Sequence, residues 1–216
     1  MMSLREMKKE QTRQLIADTA WRLFAEQGFD GVTVAEVARE AQVAKATVFN
    51  YFPTKEDLFY APFDAFGTRL IEAIGRRPPG ETVLAAFQRF LLDANGLLDQ
   101  VEAGDEAALQ AARTVARVIA GSAALQAREQ QAIKQHTDSL ARLLATETGA
   151  TEDDPGPQVA ANALMGVHRT LTEHARRRIA EDRTARLGTD IRTLCTRSCA
   201  LLERGLAEYA PALPQR

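Results

Sequence analysis

The stretch "TVAEVAREAQVAKATVFNYFPTKEDL", residues 33–58, decides the fold. Thr33 has the position and chemistry of a helix N-cap, and Glu36 three residues on completes a capping box. The short helix that follows buries Val34, Val37, Ala38 and Ala41. After the tripeptide Ala41-Gln42-Val43, a second short helix runs over roughly Ala44 to Tyr51, in which Val48 packs inward while Lys45, Thr47 and Asn50 cannot all do so. Pro53 stops it, and Thr54 with Asp57 repeats the cap pattern to open a longer helix whose apolar stripe is Phe59, Phe63, Phe66 and Leu70. Pro62 is expected to kink that helix. Upstream, Leu15, Ile16, Ala20, Leu23 and Phe24 share one face of a first helix, which Gly28 can end in the left-handed conformation.

Two short helices at a steep angle, joined by a tight turn and braced by a third, form a helix-turn-helix. A recognition helix lying in a major groove about 12 Å wide touches bases with its exposed face alone, so it needs only about two turns. Small residues such as Ala44 and Ala46 let the backbone approach, and Lys45 can donate to guanine O6 or N7. The hydroxyls of Thr33, Thr47 and Tyr51, and Lys55 at a helix start, are candidate phosphate anchors.

The rest of the chain also reads at helical period. "GRRPPGE" at 75–81 cannot lie inside a helix and is expected to be a domain-level hinge. Beyond it, helices are expected at about 81–99, 104–119, 122–148, 158–180 and 187–208, with the loop "GATEDDPGP" between the third and fourth of these. No strand-like alternation persists, so the fold is expected to be all-α with about nine helices. A DNA-binding domain over residues 1–55, with its motif at 33–52, would precede a larger helical domain over 56–216.

Length and composition narrow the class. With 216 residues and 45% hydrophobic content the chain can bury real cores. The net charge of −2 argues against indiscriminate coating of nucleic acid, yet leaves room for a local reading surface, and a slight basic excess (Arg5, Lys8, Lys9 and Arg13 against Glu6 and Glu10) sits beside the motif. No run of about 18 apolar residues occurs and the amino end carries charges where a signal peptide needs an apolar core, so a cytoplasmic protein without membrane association is expected. Cys195 and Cys199, four apart in one helical segment, read as packing residues.

The motif "TVAEVAREAQVAKATVFNYFPTKEDLF", preceded by "FAEQGFDGVTV", resembles the DNA-binding motif of the TetR family of bacterial transcriptional regulators over roughly residues 10–60. The resemblance implies an all-helical homodimer that binds double-stranded operator DNA and answers to a small-molecule effector, with no cofactor. By position, Thr33, Thr47, Tyr51 and Lys55 resemble the family's phosphate contacts, while Lys45, Ala46, Phe49 and Asn50 fall where bases are approached. Three positions depart from the family pattern. Gln42 stands where the turn usually has glycine, so the backbone there is either left-handed or makes a different turn. Ala44 replaces the usual Ser or Thr cap, and Phe49 a frequent tyrosine, which favours thymine-methyl contact over phosphate.

In the larger domain, His136, Asn162, Met165, His168 and Arg169 are polar or soft residues in apolar helical segments and are candidates for an effector pocket, against the reading of core or interface side chains. The final two amphipathic helices resemble the family's dimerisation pair, with Leu164, Val167, Leu171, Leu194, Leu201 and Leu202 as candidate interface residues; an ordinary internal core is the alternative. "HARRRIAEDR" at 174–183 reads as a solvated helix end. The histidines show no metal-ligand spacing, and no catalytic constellation or phosphate loop supports an enzyme. The reading is therefore a ligand-released repressor of a palindromic operator, with an enzyme using the helical cavity and a protein-binding adaptor as the competing classes.

Overall fold

The computed structural model describes residues 4–94 and 96–205. Its ten helices are α1 (Leu4–Gln27), α2 (Val34–Glu40), α3 (Lys45–Tyr51), α4 (Lys55–Gly75), α5 (Val83–Asp93), α6 (Gly96–Glu102), α7 (Glu106–Gly121), α8 (Ala123–Thr148), α9 (Gly156–Ala180) and α10 (Leu187–Arg204). The tenth arises because the helix expected over 81–99 is two: α5 closes on Ala94, whose N–H donates to Phe90 O, and α6 restarts at Gly96. Asn-Gly at 95–96 is a turn-forming dipeptide, and the helical periodicity of the flanking leucines conceals it. No strand is present among the described residues.

The chain forms two compact units, residues 1–67 with 114–132, and residues 68–113 with 133–216. In the first, Ile16, Ala20, Leu23, Phe24, Val37, Val48, Leu58 and Phe59 make the core, joined by Ile119 and Leu125 from the α7–α8 corner. An aromatic cluster anchors it: Trp21 stacks on Phe59 at 4.9 Å, and Phe29 meets Phe59 edge-on at 5.4 Å. Helix α4 continues through Pro62, which lies exposed on its surface.

In the second unit, Leu70, Ile74, Phe87, Leu140, Leu164, Cys195 and Cys199 share one core, and Val101, Ile179, Leu187 and Ile191 belong to another. Both flanks of the 75–81 break lie in this unit, so the break joins two helices of one body. Arg77 fixes it: Nε–H donates to Glu81 O (3.1 Å), Nη1–H to Ile74 O (2.9 Å), and the fork closes on Glu147 at 2.9 and 2.6 Å. Helix α10 begins against α6, where Glu102 accepts from the Thr189 N–H and hydroxyl, each at 2.7 Å. Gly188 permits this, since a Cβ there would collide with the Asp99 carboxylate. The helix ends at Arg204 before Gly205, which is left-handed at φ +77°; the expected extension to 208 lies outside the described residues.

Candidate nucleic-acid interface

The helix-turn-helix is built by its caps. Glu36 N–H donates to Thr33 Oγ1 (3.2 Å), while the Thr33 N–H and hydroxyl both donate to Glu36 Oε2 at 2.8 Å. These bonds, the backbone one foremost, hold the Glu36 carboxyl below its ordinary range. At the turn, Gln42 adopts φ +56°, the left-handed alternative of the two. Ala44 sits in extended backbone as the N-cap of α3, and no side chain caps the helix. Beyond Phe52 and Pro53, the Thr54 N–H (3.1 Å) and hydroxyl (2.8 Å) donate to Asp57 Oδ2, and the Asp57 N–H returns a bond to Thr54 Oγ1 at 3.1 Å.

Helix α3 then divides cleanly. Val48 is completely buried, Lys45, Ala46, Phe49 and Asn50 are exposed, and Thr47 and Tyr51 lie half-buried at the edges. The outward set is spaced i, i+1, i+4, i+5, one face of a two-turn helix. Phe49 is 42% exposed, and the Lys45 ammonium stands 5.7 Å from its ring centroid, which sets the lysine's reach along the helix.

Two expected phosphate anchors are occupied otherwise. The Thr33 hydroxyl proton is donated within the capping box. The Lys55 ammonium is turned inward, donating to Phe29 O (2.9 Å) and Val32 O (3.3 Å), 4.2 Å from the Phe29 ring centroid. It closes the α1–α2 loop, a task invisible in sequence because its partners lie more than twenty positions upstream.

Sequence reading left α1 out of the site. The structure puts Glu6, Lys9, Glu10 and Arg13 of α1 in one groove of about 500 Å³ with Asn50 and Tyr51. Arg13 is held there by the Phe52 ring, 5.0 Å from its guanidinium, and by Glu10 at 4.0 Å. The slight basic excess near the amino end was the available signal.

The residues expected to line an effector pocket do not converge. Met165 is buried in the core, whereas Asn162 and Arg169 lie on the outer face of α9, Arg169 3.8 Å from Glu173. His136 and His168 are half-buried on α8 and α9. Positions 162 and 169 are seven apart and share one stripe, while 165 turns inward; polarity flagged the residues but not their direction. The candidate interface leucines need the same correction. Leu164, Val167 and Leu171 are core residues at 5, 8 and 6% exposure, Leu194 and Leu202 pack half-buried against that core, and Leu201 is half-buried. The side of α9 away from that core carries Val159, 63% exposed, with exposed Asn162, Arg169 and Thr170, and Ala163 and Gly166 lie half-buried beside them. Cys195 and Cys199 are free thiols inside the core; the hydrogen bond with Cys195, and then burial, push the Cys199 thiol far up. At the end of α9, Arg177, Glu181, Asp182 and Arg183 are exposed, as a solvated helix end requires, and Arg178 turns to a part-buried pair with Asp190 at 3.0 Å.

Among the described residues no cluster could hold a metal ion and no helix is long and apolar enough to cross a membrane. A capped helix-turn-helix presenting one exposed, cation-bearing face, on an all-helical body, defines a DNA-binding protein of the helix-turn-helix class. Residues 16–61 match the family model described as bacterial regulatory proteins, tetR family, and residues 94–207 match that of the MftR C-terminal domain. The chain is 28% identical over 153 residues to the HTH-type transcriptional regulator TcmR of Streptomyces glaucescens, spanning 70% of this chain and 66% of that one. It is also 28% identical over 177 residues to the putative mycofactocin biosynthesis transcriptional regulator MftR of Mycobacterium tuberculosis, covering 77% and 81%. In fold it is similar to SmeT, the repressor of a Stenotrophomonas maltophilia multidrug efflux pump, with TM-score 0.54 and 19% identity over 87% and 88% of the two chains. The chain belongs to the TetR family of bacterial transcriptional regulators, a family of regulators and not of enzymes.

Proposed function

We propose that this regulator is a cytoplasmic, homodimeric repressor that a small-molecule effector releases from a palindromic operator, with residues 1–55 reading DNA and 56–216 serving effector binding and dimerisation. The observation that carries the DNA reading is the face of α3, where Lys45, Ala46, Phe49 and Asn50 stand outward and Val48 alone is buried. Lys45 donates to a guanine edge, Phe49 meets a thymine methyl, and Ala46 lets the backbone approach. Tyr51 and Thr47 hold phosphates at the edges, and Lys9 and Arg13 extend that contact along the groove they share with Asn50 and Tyr51. Lys55 and Thr33 serve by shaping the motif. Repression needs only occupancy of the operator, which this surface supplies.

Dimerisation uses the side of α9 away from the core, where half-buried Ala163 and Gly166 allow close helix approach and exposed Val159 supplies apolar area, together with Thr193, Thr196 and Leu201 of α10. Two-fold symmetry then sets the recognition helices on successive major grooves, about 34–36 Å apart. The effector acts by population shift, binding more tightly to the conformer whose recognition helices are out of register.

Selection of bound duplexes from a random pool, followed by titration of the winner at two salt concentrations, tests this. A palindrome with half-sites one helical turn apart and a steep salt slope is expected. Weak, sequence-independent binding would contradict it.

A further inference from the structure

The first unit contains a part-buried charged cluster built around Arg128, which shares only Asp57 with the cap of α4. Arg128 of α8 donates Nε–H to Asp57 Oδ1 at 2.7 Å and Nη2–H to Asp64 Oδ2 at 2.5 Å, and its guanidinium lies 5.5 Å from the Tyr60 ring centroid. Asp57, Tyr60 and Asp64 are spaced i, i+3, i+7, so the arginine lies along one stripe of α4. Its side chain is 13% exposed, and Nη1 is buried with no hydrogen-bond partner among the described residues. A part-buried cation that leaves a donor unmatched is a poor choice if stability alone is served, because apolar side chains do as well or better. What the guanidinium provides is direction.

That direction leads to the recognition helix. Asp57 bonds Arg128 through Oδ1 and the Thr54 cap through Oδ2, so one carboxylate ties α8 to the first turn of α4. Only Phe52 and Pro53 separate Thr54 from Tyr51, the last residue of α3; Phe52 is buried and the proline has a fixed φ, so the joint has little play. Helix α8 is itself uninterrupted from Ala123 to Thr148.

We propose that Arg128 is a positioning residue for operator recognition: through Asp57 and Asp64 it fixes the amino end of α4, and with it the orientation of the recognition helix. The proposal rests on the DNA-binding reading above.

The test uses the duplex selected by the wild-type protein. Arg128→Ala, Arg128→Lys and Asp64→Asn are titrated on it across a salt series, beside far-UV dichroism and the emission of Trp21, the single tryptophan, which stacks on Phe59 of α4. Expected for Arg128→Ala is a loss of affinity of roughly tenfold or more with helicity retained and tryptophan emission shifted. The slope of log Kd against log salt stays at the wild-type value, because no phosphate contact is lost. Arg128→Lys recovers part of the affinity and Asp64→Asn falls between. Wild-type affinity in Arg128→Ala overturns the proposal, and so does a slope smaller by about one, which would place Arg128 on DNA itself. Should Arg128→Ala not fold, Asp64→Asn decides alone, with wild-type affinity again overturning the idea. Failure of the wild-type protein to select any sequence would instead sink the DNA-binding reading on which this one stands.

Discussion

Gln42 holds a left-handed backbone, φ +56°, in the turn between α2 and α3 without the residue best suited to it. A Cβ in that region costs about 1–2 kcal/mol. The side chain is exposed, so little packing is lost on its removal. Gln42→Gly is therefore expected to raise stability by up to about 1 kcal/mol, after the extra entropy glycine brings to the unfolded chain, read as an upward shift of the denaturant midpoint. Two positions on, Ala44 already has the extended N-cap backbone, φ −69° and ψ 145°, but no oxygen to accept from α3. Ala44→Ser should add about 0.5–1 kcal/mol by the same measurement. Both sites were legible in sequence, because turn and cap chemistry is local. Lys55 was not: its place at a helix start suggested a phosphate anchor, whereas its ammonium closes a loop whose carbonyls are distant in sequence.

At the scale of elements, α2 and α4 begin with the same device, a threonine and a carboxylate three residues apart, and both boxes form as the spacing predicts. For Asp57, burial pushes the carboxyl up, but the bonds from Arg128 and Thr54 outweigh it and hold it below its ordinary 3.8. A carboxylate depressed on folding stabilises the native state above its unfolded pKa, and that stabilisation fades as pH falls through the folded one. Thermal unfolding temperature should accordingly be flat through neutral pH and decline below about pH 4. Asp57→Asn should flatten the acid limb and lower the neutral plateau; an unchanged acid limb would show that this carboxylate does not carry it. Helix existence was easy to read across the whole chain, since periodicity survives in every long segment. Helix breaks were harder: the 81–99 segment kept its apolar rhythm through Asn95-Gly96, and the proline-rich 75–81 segment looked like a hinge until Arg77 was seen to bolt it to Glu147.

For the molecule as a whole, the sequence told more about the exposed face of α3 than about the second unit. The face depends on seven consecutive positions of α3, whose spacing fixes inside and outside once Val48 is placed. The body depends on which side of α9 meets which neighbour, and Leu164 and Leu171 lie on the inward side while Asn162, Arg169 and Thr170 are exposed on the other. Leucine period marks an amphipathic helix without saying whether its apolar side meets the chain's own core or another copy. Arg128 was unreadable because its partners, Asp57 and Asp64 of α4, lie 71 and 64 positions upstream.

The most direct measurement is the affinity of Lys45→Ala and wild-type protein for the selected duplex and for a scrambled one of equal length. Lys45 stands at the first turn of α3, exposed, with its ammonium over Phe49. The expected result is a loss of about 1–3 kcal/mol on the selected duplex, with relaxed preference at the base pair it reads and a far smaller change on the scrambled one. Equal affinities of the two proteins on both duplexes would contradict the claim that this face of α3 reads DNA.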